Sequence, residues 1–412
     1  MQLFIPRGII HHSLKDDAFS LFRVFYSNLS EKEYINHFEE LFAKYMGKDF
    51  CTAFPLARTA IYYALKERSF SPGTEIIMPP ISIKGILDVI LDLGLKPVFV
   101  DINKDTFCFD IKQLEESVSP ATKAILITYL FGMVPNIYDL IAFSKKNNLF
   151  VIEDFSQCLN GKYKNKKVGG FGDVGVYSSS SLKTLDTYGG GLLVYDRKNL
   201  NKKMEEFKMS LKKTSRFNLF KKILINFTRN TATQVLVFDF IVYPLLRALD
   251  VIDPGSYLKQ TGSRDQKMIK KLPSSWFDCF SSLQARIGLK YLKKVVGSDK
   301  ERIKNVNQIK IKAPDVNFPK EVEGATNVYW VLIAYFNQVV KVQSFFQSKK
   351  VDTATSSLEL ISLLSDYPYR GNTPNAQKLH DCGLFIPAHA GLSTDQIDKV
   401  AEVSNKAALA FE

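Results

Sequence analysis

The chain has 412 residues, of which 46% are hydrophobic and 24% charged, and a formal net charge of +13 at pH 7. This is an ordinary globular composition, and the length predicts two domains or one large domain with an appendage. The five cysteines are odd in number and form no C-x-x-C pair, which argues against a disulfide framework and a metal site and suits a reducing cytoplasm. No apolar run reaches the roughly 18 residues that a membrane-spanning helix needs.

Residues 31–48 and 57–68 show the apolar spacing of two helices. After them, short β-rich apolar runs alternate with helical segments. The runs are 75–79, 96–102, 123–130 and 148–154, and the helical segments between them are 82–94, 110–118 and 136–147. This alternation predicts an α/β fold with a largely parallel sheet covered by helices on both faces. In such sheets, ligands bind at the carboxyl ends of the strands.

Polar side chains gather after two predicted strands in the middle of the chain. Asp154 ends one strand and Gln157 follows within a turn, whereas the second strand (174–177) leads into four serines and then Lys183. A triple glycine, 189–191, completes the segment. A pyridoxal phosphate site needs these groups: an amine that binds the cofactor covalently, a carboxylate at the pyridine nitrogen and an open backbone. We therefore predict pyridoxal phosphate as the cofactor and Lys183 as the catalytic residue.

Three further residues have predicted contacts with the cofactor. Asp154 would keep the pyridine nitrogen protonated, Gln157 would hydrogen-bond the ring hydroxyl, and Ser178 would bind the phosphate together with nearby backbone N–H groups. Each residue taken alone also fits an ordinary structural role, such as a turn cap, a loop amide, a polar turn or a surface lysine. Their order along the chain favours the cofactor site.

The segment VIEDFSQ, followed by NGKYKNKKVGGFGDVGVYSSSSLKTLDTYGGGLLV, resembles the signature of the DegT/StrS-type sugar aminotransferases. The similarity extends over most of residues 30–196 and 274–412. These proteins are fold type I pyridoxal phosphate enzymes, so the resemblance implies a large domain with a mostly parallel mixed sheet between helices and a small C-terminal α+β domain. It implies the same roles for the four residues above, and a homodimer that shares its active sites.

The chain departs from this family around the expected cofactor. The usual Gly-Thr/Ser pair before the second helix reads Ala-Arg, and we predict that Arg58 and the following Thr59 contact the phosphate. Alternatively, Arg58 points outward at the helix start. Ile83 aligns with the aromatic residue that usually stacks on the cofactor ring. Phe277 and Cys279 align near an asparagine and an arginine that the neighbouring subunit normally lends.

Residues 201–272 form an insertion relative to the family. Nine Lys/Arg and two Glu between 202 and 229 give this stretch a net charge of +7, and the apolar run 235–249 and a turn at 253–257 follow. We predict that residues 202–250 contact an anionic membrane surface, with lysines at the headgroups and six apolar side chains inserted. The six are Phe217, Leu219, Phe220, Ile223, Leu224 and Phe227. The alternative is that the apolar part covers the core or a dimer partner; nucleic acid is not expected, because stacking platforms are missing.

The predicted organisation is an N-terminal arm (1–30), a large cofactor-binding domain (31–200), the insertion (201–272) and a C-terminal part (273–412). The C-terminal part includes predicted helices at 281–295, near 340–350 and after the N-cap Ser393.

The predicted function is the transfer of an amino group from glutamate or glutamine to a keto-sugar, carried by a nucleotide or a lipid, in surface polysaccharide or related amino-sugar biosynthesis. The predicted location is the cytoplasm, including the inner face of the membrane. One alternative is a pyridoxamine phosphate-dependent sugar dehydratase, in which the resemblance implies histidine at the position of Lys183. Another is a non-catalytic relative that binds or regulates.

Overall fold

The computed structural model describes residues 4–245, 248, 267–356 and 358–411. The turn predicted at 253–257 and part of the apolar run 235–249 lie outside the described residues. No described helix is long and apolar enough to cross a membrane.

The helices are numbered in chain order. They are α1 (Leu14–Tyr26), α2 (Lys32–Met46), α3 (Ala57–Glu67), α4 (Lys84–Asp92), α5 (Ile111–Glu116), α6 (Ile137–Lys146), α7 (Lys198–Met209), α8 (Arg216–Ala232), α9 (Ser282–Leu292), α10 (Val295–Lys312), α11 (Val339–Ser348), α12 (Pro374–Cys382) and α13 (Thr394–Ala410). Short helical turns span Leu130–Gly132, Val235–Val237, Phe238–Val242, Ser274–Phe277 and Ile361–Leu363.

The strands are numbered in the same way. They are β1 (Phe50–Phe54), β2 (Glu75–Met78), β3 (Ile81–Ser82), β4 (Lys96–Phe99), β5 (Thr122–Thr128), β6 (Phe150–Asp154), β7 (Lys162–Tyr163), β8 (Lys166–Lys167), β9 (Val174–Ser178), β10 (Gly191–Tyr195), β11 (Ala325–Thr326), β12 (Leu332–Tyr335), β13 (Glu359–Leu360) and β14 (Gly383–Ile386).

The largest sheet has the order β1-β10-β9-β6-β5-β2-β4 in the described residues. Strands β4, β2, β5, β6 and β9 pair in parallel, and β10 pairs antiparallel with both β9 and β1. The predicted α/β class with a mostly parallel mixed sheet is therefore confirmed. The parallel strands and the helices between them form where the alternating apolar runs predicted them, because strands buried on both faces need continuous apolar sequence.

Both faces of this sheet are buried, and successive strand residues serve opposite cores. In β5, Ile125 and Ile127 belong to the core that also contains Phe38 and Phe42 of α2. Leu126, between them, belongs to the core on the other face, with Ile61 of α3. Because β6 and β9 are parallel, their carboxyl ends lie at the same edge of this doubly covered sheet.

The C-terminal part has its own apolar core. Strands β12 and β14 pair antiparallel, and α10, α11 and α13 pack against them through residues such as Val306, Phe346 and Val400. Ser393 caps α13, since its side chain accepts a hydrogen bond from the Gln396 amide at 3.3 Å, as predicted. Leu130 and Phe131, which follow β5, belong to the core of the C-terminal part. The C-terminal part therefore packs directly beside the edge of the sheet where β6 ends.

Helix α8 lies in the predicted insertion and packs against α1. Arg216 Nη1 donates to the Val24 carbonyl at 2.6 Å, and the rings of Phe25 and Phe220 have centroids 5.2 Å apart. Leu219 and Ile223 are buried in the same core as α2. The prediction that these two side chains insert into a membrane is wrong, because they stabilise the fold instead.

Candidate cofactor site

The predicted site residues come together at the carboxyl ends of β6 and β9. These strands are parallel neighbours, and Asp154 is in register with Val176. Ser156, just after β6, accepts a hydrogen bond from the Ser178 amide through its Oγ at 2.9 Å. This contact ties the Asp154 turn to the serine run that leads to Lys183.

Lys183 and Asp154 are both buried, each with 7% of its surface exposed. Burial raises the pKa of the Asp154 carboxyl above its usual value of 3.8, and hydrogen bonds from Ser156 and the charge of Lys183 oppose this shift. Lys183 is therefore within electrostatic reach of a carboxylate whose ionisation costs free energy. A positively charged ring nitrogen beside Asp154 would relieve that cost.

The amine of Lys183 rests on an indole ring. Its Nζ lies 4.1 Å from the centroid of Trp330, and the Trp330 indole N–H donates to the Leu182 carbonyl at 2.9 Å. This cation–π contact holds the lysine at the junction with the C-terminal part. Trp330 has no local sequence pattern that indicates this role, because only the tertiary structure brings the chain before β12 to the serine run.

Several non-glycine residues around Lys183 have a left-handed backbone. Their φ angles are 74° at Leu182, 59° at Tyr188, 57° at Phe131 and 45° at Tyr329. Each such conformation costs roughly 1–3 kcal/mol and persists only where the surrounding structure enforces it. Strain of this kind clusters at functional sites, and here it lies in the lysine loop, in the turn after β5 and in the chain before β12.

Gln157 and Ser178 face the same edge of the sheet. The Gln157 side-chain oxygen accepts a hydrogen bond from the Phe131 amide at 2.6 Å, so the amide group is oriented by the loop after β5. Its NH₂ group is the end with which a ring oxygen can bond. The Ser178 hydroxyl lies 3.1 Å from the Ser180 hydroxyl, and both side chains are partly accessible.

The triple glycine that leads into β10 allows a close approach of the backbone. A Cβ at Gly190 would collide with Ser179 Oγ, and one at Gly191 would collide with the Leu56 carbonyl and the Ala57 amide at the start of α3. Gly189, with a φ of 103°, adopts a conformation that side chains rarely tolerate. The triple glycine therefore forms a cradle against the first turn of α3.

Arg58 and Thr59 lie in that first turn, and both contact Trp276 of the same chain. The Arg58 guanidinium stacks 4.4 Å from the centroid of Trp276, and a Cβ at Gly85 would collide with it. The Thr59 hydroxyl donates to the Trp276 carbonyl at 2.5 Å, so its single proton is already used. Ile83 precedes α4 and is partly buried in the adjacent core. The proposed contacts of these three residues with a cofactor remain predictions.

Phe277 and Cys279 pack on their own chain. The Phe277 ring meets the Tyr62 ring edge-on with centroids 5.2 Å apart, and its carbonyl accepts from the Lys212 amide at 2.9 Å. The Cys279 amide donates to the Lys212 carbonyl at 2.6 Å. The segment before α9 is thus held against α3 and the chain after α7.

A buried polar network holds the Lys183 loop from behind. His12 Nδ1 lies 2.9 Å from Asp17 Oδ1, and His12 Nε2 lies 2.8 Å from the Asp186 carbonyl. The Tyr188 hydroxyl donates to Asp17 at 2.8 Å, and Asn230 of α8 donates to the other Asp17 oxygen at 2.8 Å. Burial raises the pKa of Asp186 from 3.8 to about 6. The N-terminal arm and α8 therefore fix the position of the lysine loop.

The residues present fit pyridoxal phosphate. A buried lysine and a buried carboxyl lie within electrostatic reach at the edge of the sheet, and a glycine cradle borders a helix N-terminus. The first turn of α3 carries no acidic residue and no side-chain cap, so its amides are suited to an anion. Amine, carboxyl, amide and anion-binding backbone are the donor set of this cofactor.

This fold, with these residues at the edge of its sheet, is typical of fold type I transferases that use a cofactor. Residues 23–228, half of the chain, match the model of the DegT/DnrJ/EryC1/StrS aminotransferase family. The chain belongs to this family.

Among curated relatives, it is 32% identical over 179 residues to GDP-perosamine synthase from Escherichia coli O157:H7, covering 43% of this chain and 49% of that protein. It is also 32% identical over 146 residues to a UDP-N-acetyl-3-dehydro-α-D-glucosamine 3-aminotransferase from Acidithiobacillus ferrooxidans, covering 35% of this chain and 40% of that protein. The chain spans about half the length, or less, of these relatives.

The fold also matches solved structures over its full length. The aminotransferase PseC from Helicobacter pylori, involved in the biosynthesis of pseudoaminic acid, superposes with a TM-score of 0.75 at 19% identity, covering 100% of both chains. At this identity the match concerns the fold. It confirms the fold type I architecture, with the C-terminal part included.

Proposed function

We propose that this protein is a pyridoxal phosphate-dependent aminotransferase acting on a keto-sugar, with glutamate or glutamine as the amino donor. The observation that carries the proposal is the buried Lys183 within electrostatic reach of the buried Asp154, beside the glycine cradle. Family membership and a relative named as an aminotransferase of a 3-dehydro nucleotide sugar support the reaction class and the substrate class. Surface polysaccharide or related amino-sugar biosynthesis is the proposed setting.

The chemistry follows from what each residue can do. When bound, pyridoxal phosphate supplies an electron sink for negative charge at the carbon that bears the amino group. Lys183 holds the cofactor through its amine and then moves the proton at that carbon, because it lies in a shielded position from which a lysine can act as a base. Asp154 balances a protonated ring nitrogen. Gln157 orients the ring hydroxyl, and Ser178 contributes to the phosphate.

The presence of Lys183 favours amino transfer over dehydration. In the dehydratases on this fold, the resemblance implies histidine in place of the cofactor-binding lysine, whereas this chain has Lys183. A non-catalytic relative would not need to keep a lysine and a carboxyl buried together, since each buried ionisable group costs stability. Retention of both therefore supports an enzyme.

Two assays test the proposal. Purified protein should bind pyridoxal phosphate with a long-wavelength absorbance band, and Lys183→Ala should lose the band and at least about 100-fold of the activity. Lys112→Ala, an exposed lysine on α5, is the matched control and should behave as the unchanged protein. A panel of nucleotide-linked keto-sugars, offered with glutamate or glutamine, identifies acceptor and donor. If the unchanged protein shows no band after addition of the cofactor, the enzymatic proposal falls.

We further propose that the protein acts as a cytoplasmic homodimer and that α1 and α8 form a face for an anionic membrane surface. Phe22 and Tyr26 of α1 are 70% and 85% exposed, and Phe217 and Ile225 of α8 are exposed as well. Further exposed apolar side chains follow in 236–245. Aromatic residues beside a basic helix suit a membrane interface.

Vesicle sedimentation tests this face. Vesicles with phosphatidylglycerol should carry the protein down, those of phosphatidylcholine alone should not, and Phe22→Glu should abolish the effect. Leu409→Glu, at an exposed apolar position on α13, is the control. If vesicles do not bind and Phe22→Glu instead converts a dimer to a monomer in light scattering, the face is the dimer contact.

A further inference from the structure

Helix α8 presents a polar stripe toward the Lys183 loop. Lys222, Asn226 and Asn230 are spaced four residues apart and therefore lie on one side of the helix. Asn226 and Asn230 are fully buried. Asn226 accepts a hydrogen bond from the Ser181 hydroxyl, two residues before Lys183, and Asn230 donates to Asp17. These contacts fix which side of α8 faces the Lys183 loop and hold the helix in place along its axis.

Held in this way, Lys222 lies against the triple glycine. A methyl group added at Gly189 would lie 3.3 Å from the Lys222 Nζ. On its other side, Gly189 is anchored because its carbonyl accepts a hydrogen bond from the buried Gln284 side chain of α9. Lys222 of the insertion therefore lies beside the backbone of the triple glycine.

The same glycines border the start of α3, and positive charge accumulates there. A Cβ added at Gly191 would collide with the amide nitrogen of Ala57, one residue before Arg58. Burial lowers the pKa of Lys222, Asp278 opposes the shift, and Arg58 lowers the pKa further. Lys222 is therefore within electrostatic reach of a second cation, Arg58 in the first turn of α3, and of one acidic residue, Asp278.

We propose that Lys222 binds the phosphate group of the cofactor and supplies, from within the chain, positive charge at the start of α3. This inference rests on the proposed function, since it assumes that the cofactor is pyridoxal phosphate. A lysine ammonium is a compact charge that suits a phosphate oxygen. Phe277 and Cys279 stand at the positions that align with residues lent by a neighbouring subunit. Both are uncharged, and they pack against α3 and the chain after α7. The inserted helix therefore compensates for a charge that they do not provide.

The test compares the cofactor with and without its phosphate. Lys222→Ala should weaken pyridoxal phosphate binding about 10- to 100-fold, the effect of one charged hydrogen bond, and leave the binding of pyridoxal unchanged. Lys222→Arg should restore most of the affinity. Lys221→Ala, the exposed neighbour whose ammonium lies over the Phe217 ring, should bind both compounds as the unchanged protein does. Equilibrium dialysis and the absorbance band report binding, and circular dichroism reports folding.

The outcomes separate this inference from the function. If the unchanged protein binds pyridoxal phosphate and Lys222→Ala binds it equally well, Lys222 is not a phosphate ligand and the proposed function stands. Equal weakening of pyridoxal and pyridoxal phosphate would assign Lys222 a role in folding the loop and overturn the inference. If the unchanged protein binds neither compound, both proposals fall. Should Lys222→Ala unfold, Lys222→Gln keeps the length of the side chain without its charge and decides the question.

Discussion

Replacing Ile223 by alanine tests whether α8 is a structural helix or a membrane anchor. Ile223 of α8 is completely buried in the core that also contains α2, whereas Ile225, two residues later on the same helix, is 49% exposed. The change removes three carbon atoms from a buried site, which costs about 2.4 kcal/mol in transfer free energy at about 0.8 kcal/mol each. The cavity left behind adds to this, so we expect a loss of about 2–5 kcal/mol in the free energy of unfolding.

Urea unfolding followed by tryptophan fluorescence measures this loss. The chain has two tryptophans, and both flank the candidate site: Trp330 under Lys183 and Trp276 against Arg58. The signal therefore reports on the region that α8 covers. Ile225→Ala is the matched control and should cost less than about 1 kcal/mol, because half of its side chain is already in water. Equal midpoints for the two variants would refute the packing of α8 against the core.

Three further predictions concern charge and backbone at the site. Asp154→Asn should raise the melting temperature of the cofactor-free protein at pH 7, because burial raises the pKa of this carboxyl and its ionised form destabilises the fold. The gain should vanish below about pH 4, where Asp154 is protonated. A lower melting temperature of the variant at pH 7 would contradict the reasoning. The pKa of Asp186 is likewise raised by burial, so the unchanged protein should lose about 3 kcal/mol of unfolding free energy as the pH rises from about 4 through 6. Asp186→Asn should remove this loss, which urea unfolding across the same pH range measures. Identical pH profiles of the two proteins would exclude the prediction. Gly190→Ala should destabilise the protein by more than about 1 kcal/mol in thermal unfolding and weaken cofactor binding, because its Cβ would lie 2.7 Å from the Phe280 ring. Gly297→Ala, with open space around it, is the control and should be tolerated. Similar effects of both variants would contradict the role of the triple glycine as a tightly packed cradle.

Much of the fold was predictable from the sequence because the signals are local. Near-continuous apolar runs such as 123–130 predict strands buried on both faces, and the structure forms β5 at 122–128. Ser393 predicts a helix start by its own side-chain chemistry, and α13 begins at the next residue. Asp154 and Ser178 were placed at one edge because parallel strands bring their carboxyl ends together. The division into domains remains a prediction.

What the tertiary structure alone decided is which distant residues meet Lys183. The sequence pattern made α8 basic and amphipathic, which a membrane surface and a protein core explain equally well. Packing against α1 resolved this for Leu219 and Ile223, because only the folded chain shows which side of the helix is covered. Trp330 contacts Lys183 and Lys222 lies beside Gly189, although both come from segments in which no local pattern indicated a cofactor site. The sequence thus determined the family, the sheet and the cofactor-type residues, whereas long-range packing determined what surrounds them, since such contacts depend on how distant segments dock.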